Sequence, residues 1–135
     1  MFGCSFLLDR MPDLGELHRT LAEVFAVDPA GVYVGRLYED AGAPTATVSC
    51  TYVDLDGGEF VWRVDLGADD TVPAPTDAEA AAALCRRFGM RALLPTDEPS
   101  DEWWRLITAE EDRLVAIDLR EHDSDRYVLA SQNRA

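Results

Sequence analysis

The sequence predicts an α+β fold: two helices packed on a mainly antiparallel sheet, a single-domain sandwich over residues 1–135. Three observations carry this expectation. Two segments open on capping signatures and continue with apolar residues at helical spacing. Strand-like runs follow one another without intervening helices, which is the α+β rather than the α/β pattern. An Asp-Gly-Gly turn joins two alternating segments as a hairpin. Apolar residues make up 47% of the chain, enough for a core, which argues against disorder despite high net charge.

Residues 2–8 read as the first strand. Asp13 opens a helix with Glu16 three residues on, a variant of the reciprocal capping pattern, and Leu14, Leu17, Leu21, Val24 and Phe25 mark its apolar face. Asp28-Pro29-Ala30-Gly31 stops it. Residues 32–38 are a strand and 40–44 a loop. Residues 45–55 and 59–66 form the hairpin across Asp56-Gly57-Gly58, whose glycines supply positive φ. In its second arm Phe60, Trp62, Val64 and Leu66 alternate with Glu59, Arg63 and Asp65, so one face is core and one is wet.

A loop with Pro73 and Pro75 leads to Thr76-Asp77-Ala78-Glu79, a capping box that opens a second helix reaching Phe88. Gly89 is placed as its C-terminal cap. Strands are expected at 91–94, 103–108, 113–120 and 126–131. They are separated by an acidic, proline-punctuated loop at 95–101, by Ala109-Glu110-Glu111-Asp112 and by Glu121-His122-Asp123-Ser124-Asp125. The order is β-α-β-β-β-α-β-β-β-β.

Charge dominates the composition: 26 acids stand against 12 basic residues, all of them Arg, for a formal net of −14. The two halves, 1–67 and 68–135, each carry −7, so the acidity is not a tail. It is concentrated in two turn-rich stretches: residues 54–70 hold six acids and one Arg, and residues 97–125 hold eleven acids and three Arg. Such a field repels phosphate backbones, which excludes direct DNA or RNA binding. No apolar run approaches the ~18 residues of a membrane span. The start is apolar but lacks the basic n-region of a signal peptide, and the expected location is cytoplasmic.

No catalytic residue, cofactor or metal is expected. Cys4, Cys50 and Cys85, odd in number and widely spaced, read as buried reduced thiols. His18 sits at the edge of the first helix's apolar face, and His122 in a solvated turn with no second His nearby. Asp54-Leu55-Asp56-Gly57-Gly58-Glu59 fails the calcium-loop pattern, since its fifth position is Gly and a hairpin flanks it. No Gly-flanked nucleophile elbow or phosphate loop occurs. Trp103 and Trp104 are adjacent on a strand and point to opposite faces; either one faces outward as an interface anchor rimmed by acids, or both are covered by the second helix and the loop.

The run from Leu84-Cys85-Arg86-Arg87-Phe88-Gly89 through Leu93-Leu94-Pro95-Thr96-Asp97-Glu98-Pro99 to Trp103-Trp104-Arg105-Leu106 has the order helix, Gly cap, short strand, acidic loop, aromatic strand. In this the chain resembles the immunity proteins of bacterial polymorphic toxin systems. The resemblance implies one-to-one binding of a cognate toxin, whose own site is often basic because it handles nucleic acid. Charge density places the binding surface at Asp97, Glu98, Asp101, Glu102, Trp103 and the turn Glu110, Glu111, Asp112, with Asp54, Asp56 and Glu59 as a second patch. Two alternatives stand beside it. One is a small enzyme or ligand-binding domain with a pocket lined by Tyr33, Tyr38, Tyr52 and Trp62. The other is an acidic adaptor or structural protein whose charge serves solubility.

Overall fold

Phe6-Leu7-Leu8 is apolar without alternation, the mark of a strand buried on both faces. A computed structural model, which describes residues 2–36 and 46–133, places this strand, β1 (Phe2–Leu8), at the centre of a seven-stranded sheet. The other elements are α1 (Leu14–Val24), β2 (Val32–Arg36), β3 (Val48–Asp54), β4 (Trp62–Ala68), α2 (Asp77–Phe88), β5 (Ala92–Pro95), β6 (Trp103–Ile107), β7 (Asp112–Ala116) and a short α3 (Leu119–His122). Strand order is β2-β3-β4-β1-β5-β6-β7, with β2 and β3 parallel and every other pair antiparallel. The α+β class holds. Residues 37 and 38 of the expected second strand, the loop 40–44 and residue 45 lie outside the described residues.

The two faces of the sheet are covered differently. On one, Phe6 and Leu8 of β1, Val48, Cys50 and Tyr52 of β3 and Val64 and Leu66 of β4 meet Leu17, Leu21 and Phe25 of the first helical segment and Ala81, Leu84 and Cys85 of α2. Each large side chain fully buried here is worth about 1.5–3 kcal/mol. On the other face Leu7, Leu93, Leu106 and Val115 meet Phe60, Ile117 and Leu129, which come from connections and not from helices. This second core covers β1, β5, β6 and β7. The rest of that face stays wet, and there Ser5 hydrogen-bonds Asp65 and Ser49 and Thr51 are half-buried.

Local signals place both long helices. The Thr76–Glu79 capping box is complete, and Gly89 ends α2 in the left-handed region at φ 63°. Asp13 accepts the Glu16 amide at the start of α1. That helix ends earlier than the Asp28-Pro29 stop, because Ala26 turns left-handed at φ 53° and the amides of Ala26 and Val27 close on the Glu23 and Ala22 carbonyls. Asp28 then caps a 3-10 turn at Pro29–Gly31. Leu14, expected on the apolar face, is 41% exposed.

Two strand expectations are corrected. The expected strand 113–120 ends at Ala116. The Ile117 amide makes one last in-register bond, to the Glu102 carbonyl; the Asp118 amide then turns to the Val128 carbonyl, and the Asp118 carboxylate accepts the amides of Arg120 and Glu121, starting α3. The expected strand 126–131 exists as single bridges, Tyr127 to Gly58 and Phe60 and Leu129 to Ile117, followed by a 3-10 turn at Ser131–Asn133. Asn133 finishes the edge of β7: its Oδ1 accepts the Ala116 amide at 3.2 Å and its Nδ2 donates to the Ala116 carbonyl.

The hairpin is antiparallel with Asp54 opposite Trp62, and Gly57 and Gly58 have φ 87° and 95°. Its second arm starts later than expected. Residues 58–60 swing over the second face, where the Glu59 and Phe60 amides donate to the Tyr127 carbonyl, so Phe60 enters the second core instead of the first.

Replacing Ala26 by Gly removes a left-handed Cβ penalty and raises stability by about 1 kcal/mol, read from the urea midpoint at constant m-value. Gly58→Ala acts oppositely. Its Cβ would lie 2.9 Å from the Tyr127 backbone nitrogen at a φ alanine disfavours, lowering stability by about 1–3 kcal/mol in the same assay.

Candidate functional site

The sheet separates the acidic residues singled out from the sequence. Asp97, Glu98, Asp101, Glu102 and Trp103 lie in and just after the β5–β6 connection. The Glu110-Glu111-Asp112 turn sits at the far end of β6, five residues on, which is about 16 Å along a strand. Asp54, Asp56 and Glu59 lie in the β3–β4 connection. Register places that connection at the same end of the sheet as the 110–112 turn, but across β1 and β5.

Their electrostatic states differ as much as their positions. Asp54 pairs with Arg36 at 3.0 Å, and this bond holds its carboxyl below the usual range. Glu111 pairs with Arg113 at 2.6 Å, and Asp112 takes the Arg105 guanidinium in two bonds. Glu59 is half-buried, bonded to Arg91 at 3.4 Å and to the Leu129 amide at 3.1 Å, so it ties chain segments together. Exposed pairs add little stability, yet each cancels an acidic charge locally. By contrast, no basic side chain among the described residues pairs with Asp97, Glu98, Asp101 or Glu102.

The loop bearing those four carboxylates is held by other groups. The Thr96 hydroxyl donates to the Trp103 carbonyl at 3.0 Å and accepts the Glu98 amide at 3.3 Å. The Ser100 carbonyl accepts the Trp103 amide, and its hydroxyl accepts the Glu102 amide. The Trp104 indole N–H donates to the Asp101 carbonyl at 2.9 Å. Backbone and hydroxyl groups therefore fold the loop, and the carboxylates are left over.

Beside the loop lies a depression of about 220 Å³ lined by Pro95, Thr96, Glu98, Ser100, Asp101, Trp103, Trp104 and His122. Neither tryptophan is fully buried and neither stands free: both are half-buried, which is neither one facing outward alone nor both covered. Trp104 joins the second core and meets Tyr127 edge-on at 5.5 Å between ring centroids, and Tyr127 meets His122 likewise at 5.4 Å. His122 is thus half-buried against an aromatic wall and does not sit in an open turn. His18, at the helix edge as expected, bonds the Val32 carbonyl through Nε2 at 2.8 Å.

Thr96 and Ser100 were legible as turn-forming hydroxyls in a Pro-punctuated loop. The contributions of His122 and Tyr127 carry no sequence signal, since they arrive through the tertiary path of the C-terminal segment.

Tyr52 and Trp62 pack edge-to-face at 5.9 Å with the Arg36 guanidinium over both rings. Tyr38, expected beside them with Tyr33, lies outside the described residues. Among the described residues no group of three or more His, Cys, Asp or Glu is placed to hold a metal ion. Burial pushes the thiols of Cys4, Cys50 and Cys85 up to about 12. Comparison with protein-family models, curated proteins and solved structures yields no match to this chain.

Thiols held protonated are poor nucleophiles, so the native protein at pH 8 resists alkylation by iodoacetamide, and all three cysteines react once urea is added. Their folded values lie above an unfolded value of about 8.5. Above that pH the unfolded chain releases thiol protons that the folded chain retains. The thiol contribution to stability therefore declines between the unfolded value and about 12, measurable as a falling urea midpoint that Cys50→Ala lessens.

Proposed function

We propose that this chain is a protein-binding module, a single-domain sandwich acting in the cytoplasm as an immunity protein. In this reading it captures a basic toxin that acts on nucleic acid and occludes the toxin's active site with the β5–β6 connection. One observation carries the proposal: four carboxylates on a hydrogen-bonded loop, none paired with a cation among the described residues, stand beside two half-exposed indoles. Charge complementarity accelerates encounter and rejects wrong partners. A tryptophan at the centre of a charged rim supplies the desolvated anchor on which affinity concentrates. The already neutralised acids at 111–112 and 54 contribute less to such a field, which narrows the binding surface to residues 97–104.

Partner captured from the host on immobilised protein is purified and its association rate measured. Asp101→Lys with Glu102→Lys slows association by about tenfold or more at low salt and flattens its salt dependence. Glu110→Lys, at the far end of β6, changes it far less. An unchanged rate in the double variant overturns this assignment of the surface.

A further inference from the structure

We propose that the depression between Trp103, Trp104 and His122 is a slot for one guanidinium, the side chain of an arginine presented by the partner protein. This rests on the protein-binding reading above and specifies what that partner inserts. At about 220 Å³ the depression is smaller than the roughly 300–1,000 Å³ of ordinary small-molecule sites. It suits one side chain, not a whole metabolite.

The groups around it select the chemistry. Two indoles line it, and an aromatic ring attracts a cation to its face. The Thr96 hydroxyl both donates and accepts within the loop, the Ser100 hydroxyl accepts the Glu102 amide, and the Asp101 carbonyl already accepts the Trp104 indole N–H. The charged groups on this wall are the carboxylates of Glu98 and Asp101, which accept hydrogen bonds and donate none. A ligand that is a donor, carries positive charge and has a flat surface complements this wall best. Guanidinium meets all three: it forks to carboxylates, stacks on aromatic rings and sheds water more readily than an ammonium. Free arginine fits less well, because its own carboxylate would enter a rim of four carboxylates. A metal ion lacks a three-ligand set among the described residues.

The slot is also preformed, which reduces the ordering cost of binding. Six hydrogen bonds hold its loop: those of the Thr96 and Ser100 hydroxyls, the Trp103 amide to the Ser100 carbonyl, the Trp104 indole N–H, and the Ile117 amide to the Glu102 carbonyl. The back wall is fixed by the edge-on contacts of Tyr127 with Trp104 and His122.

The test is an amide and indole N–H chemical-shift titration of the full chain with N-acetyl-arginine amide, N-acetyl-lysine amide, N-acetyl-citrulline amide and free L-arginine. The capped arginine is expected to give saturable shifts confined to residues 95–104 and 122. Capped lysine binds about 3-fold or more weaker, free arginine weaker than its capped form, and neutral citrulline not at all. Asp101→Asn, on the exposed loop, and Trp103→Leu each weaken capped arginine by about 3–5-fold. Asp101→Asn gives this reading even if Trp103→Leu fails to fold. Absent or scattered shifts, equal binding of citrulline, or tighter binding of free arginine overturns the slot. If the slot fails while Asp101→Lys with Glu102→Lys still slows the captured partner, the protein-binding reading survives it. If arginine binds and the captured partner is indifferent to charge reversal, the slot stands and the partner surface falls.

Discussion

The guanidinium of Arg91 is the junction on which the second core depends. Its Nε bonds the Asp9 carboxylate at 3.1 Å while the two residues exchange backbone contacts, which fixes the exit of β1 against the entry of β5. Its Nη2 reaches Glu59, and its plane lies 5.1 Å from the Phe60 ring centroid. Glu59 in turn accepts the Leu129 amide. One partly buried cation thus joins the end of the central strand, the β3–β4 connection and the C-terminal segment. Asp9 and Glu59 are 20% and 23% exposed, enough shielding for these bonds to count for more than surface pairs do. Were Glu59 lost, the Leu129 amide would lose its acceptor, and the segment carrying His122 and Tyr127 would lose one of its ties to the sheet.

The helices required nothing distant to be found: the Thr76–Glu79 box, Gly89 and Asp13 act on their own neighbours. The hairpin was readable for the same reason, through two glycines at positive φ. Phe60 was not. Its alternation with Trp62 and Val64 points to the first core, and what turns it over is the Tyr127 carbonyl, sixty-odd residues away in sequence. Leu114-Val115-Ala116-Ile117 reads as a strand that continues, and the competing signal, an Asp118 cap, governs only four residues. The candidate site divides along the same line. Its acids, hydroxyls and indoles are adjacent in sequence, and its aromatic back wall is assembled by the fold.

Net charge turns out to be a poor summary of the surface. Asp54, Glu111 and Asp112 contribute to the −14 on paper, yet each is matched by an arginine one or two strand positions away or across a strand pair. Arg36, Arg105 and Arg113 are spent at the 54 and 110–112 end of the sheet, while among the described residues no arginine pairs with the 97–102 loop. Locality of the cations, more than abundance of the anions, gives the molecule a directional field.

The Asn133 carboxamide meets Ala116 with one acceptor and one donor, the same pair of groups that a neighbouring backbone would offer. A strand at the margin of a sheet is a template on which another chain can polymerise. Here a side chain imitates the next rung of the ladder and stops it. The stretch of β7 left unblocked runs from Asp112 to Val115, about 10 Å, and it carries an acid and an arginine. That stretch is short and charged, and beyond it the Ala130 amide also donates to the Ala116 carbonyl and Leu129 bridges Ile117, so the C-terminal segment closes the rest of this edge to a further strand.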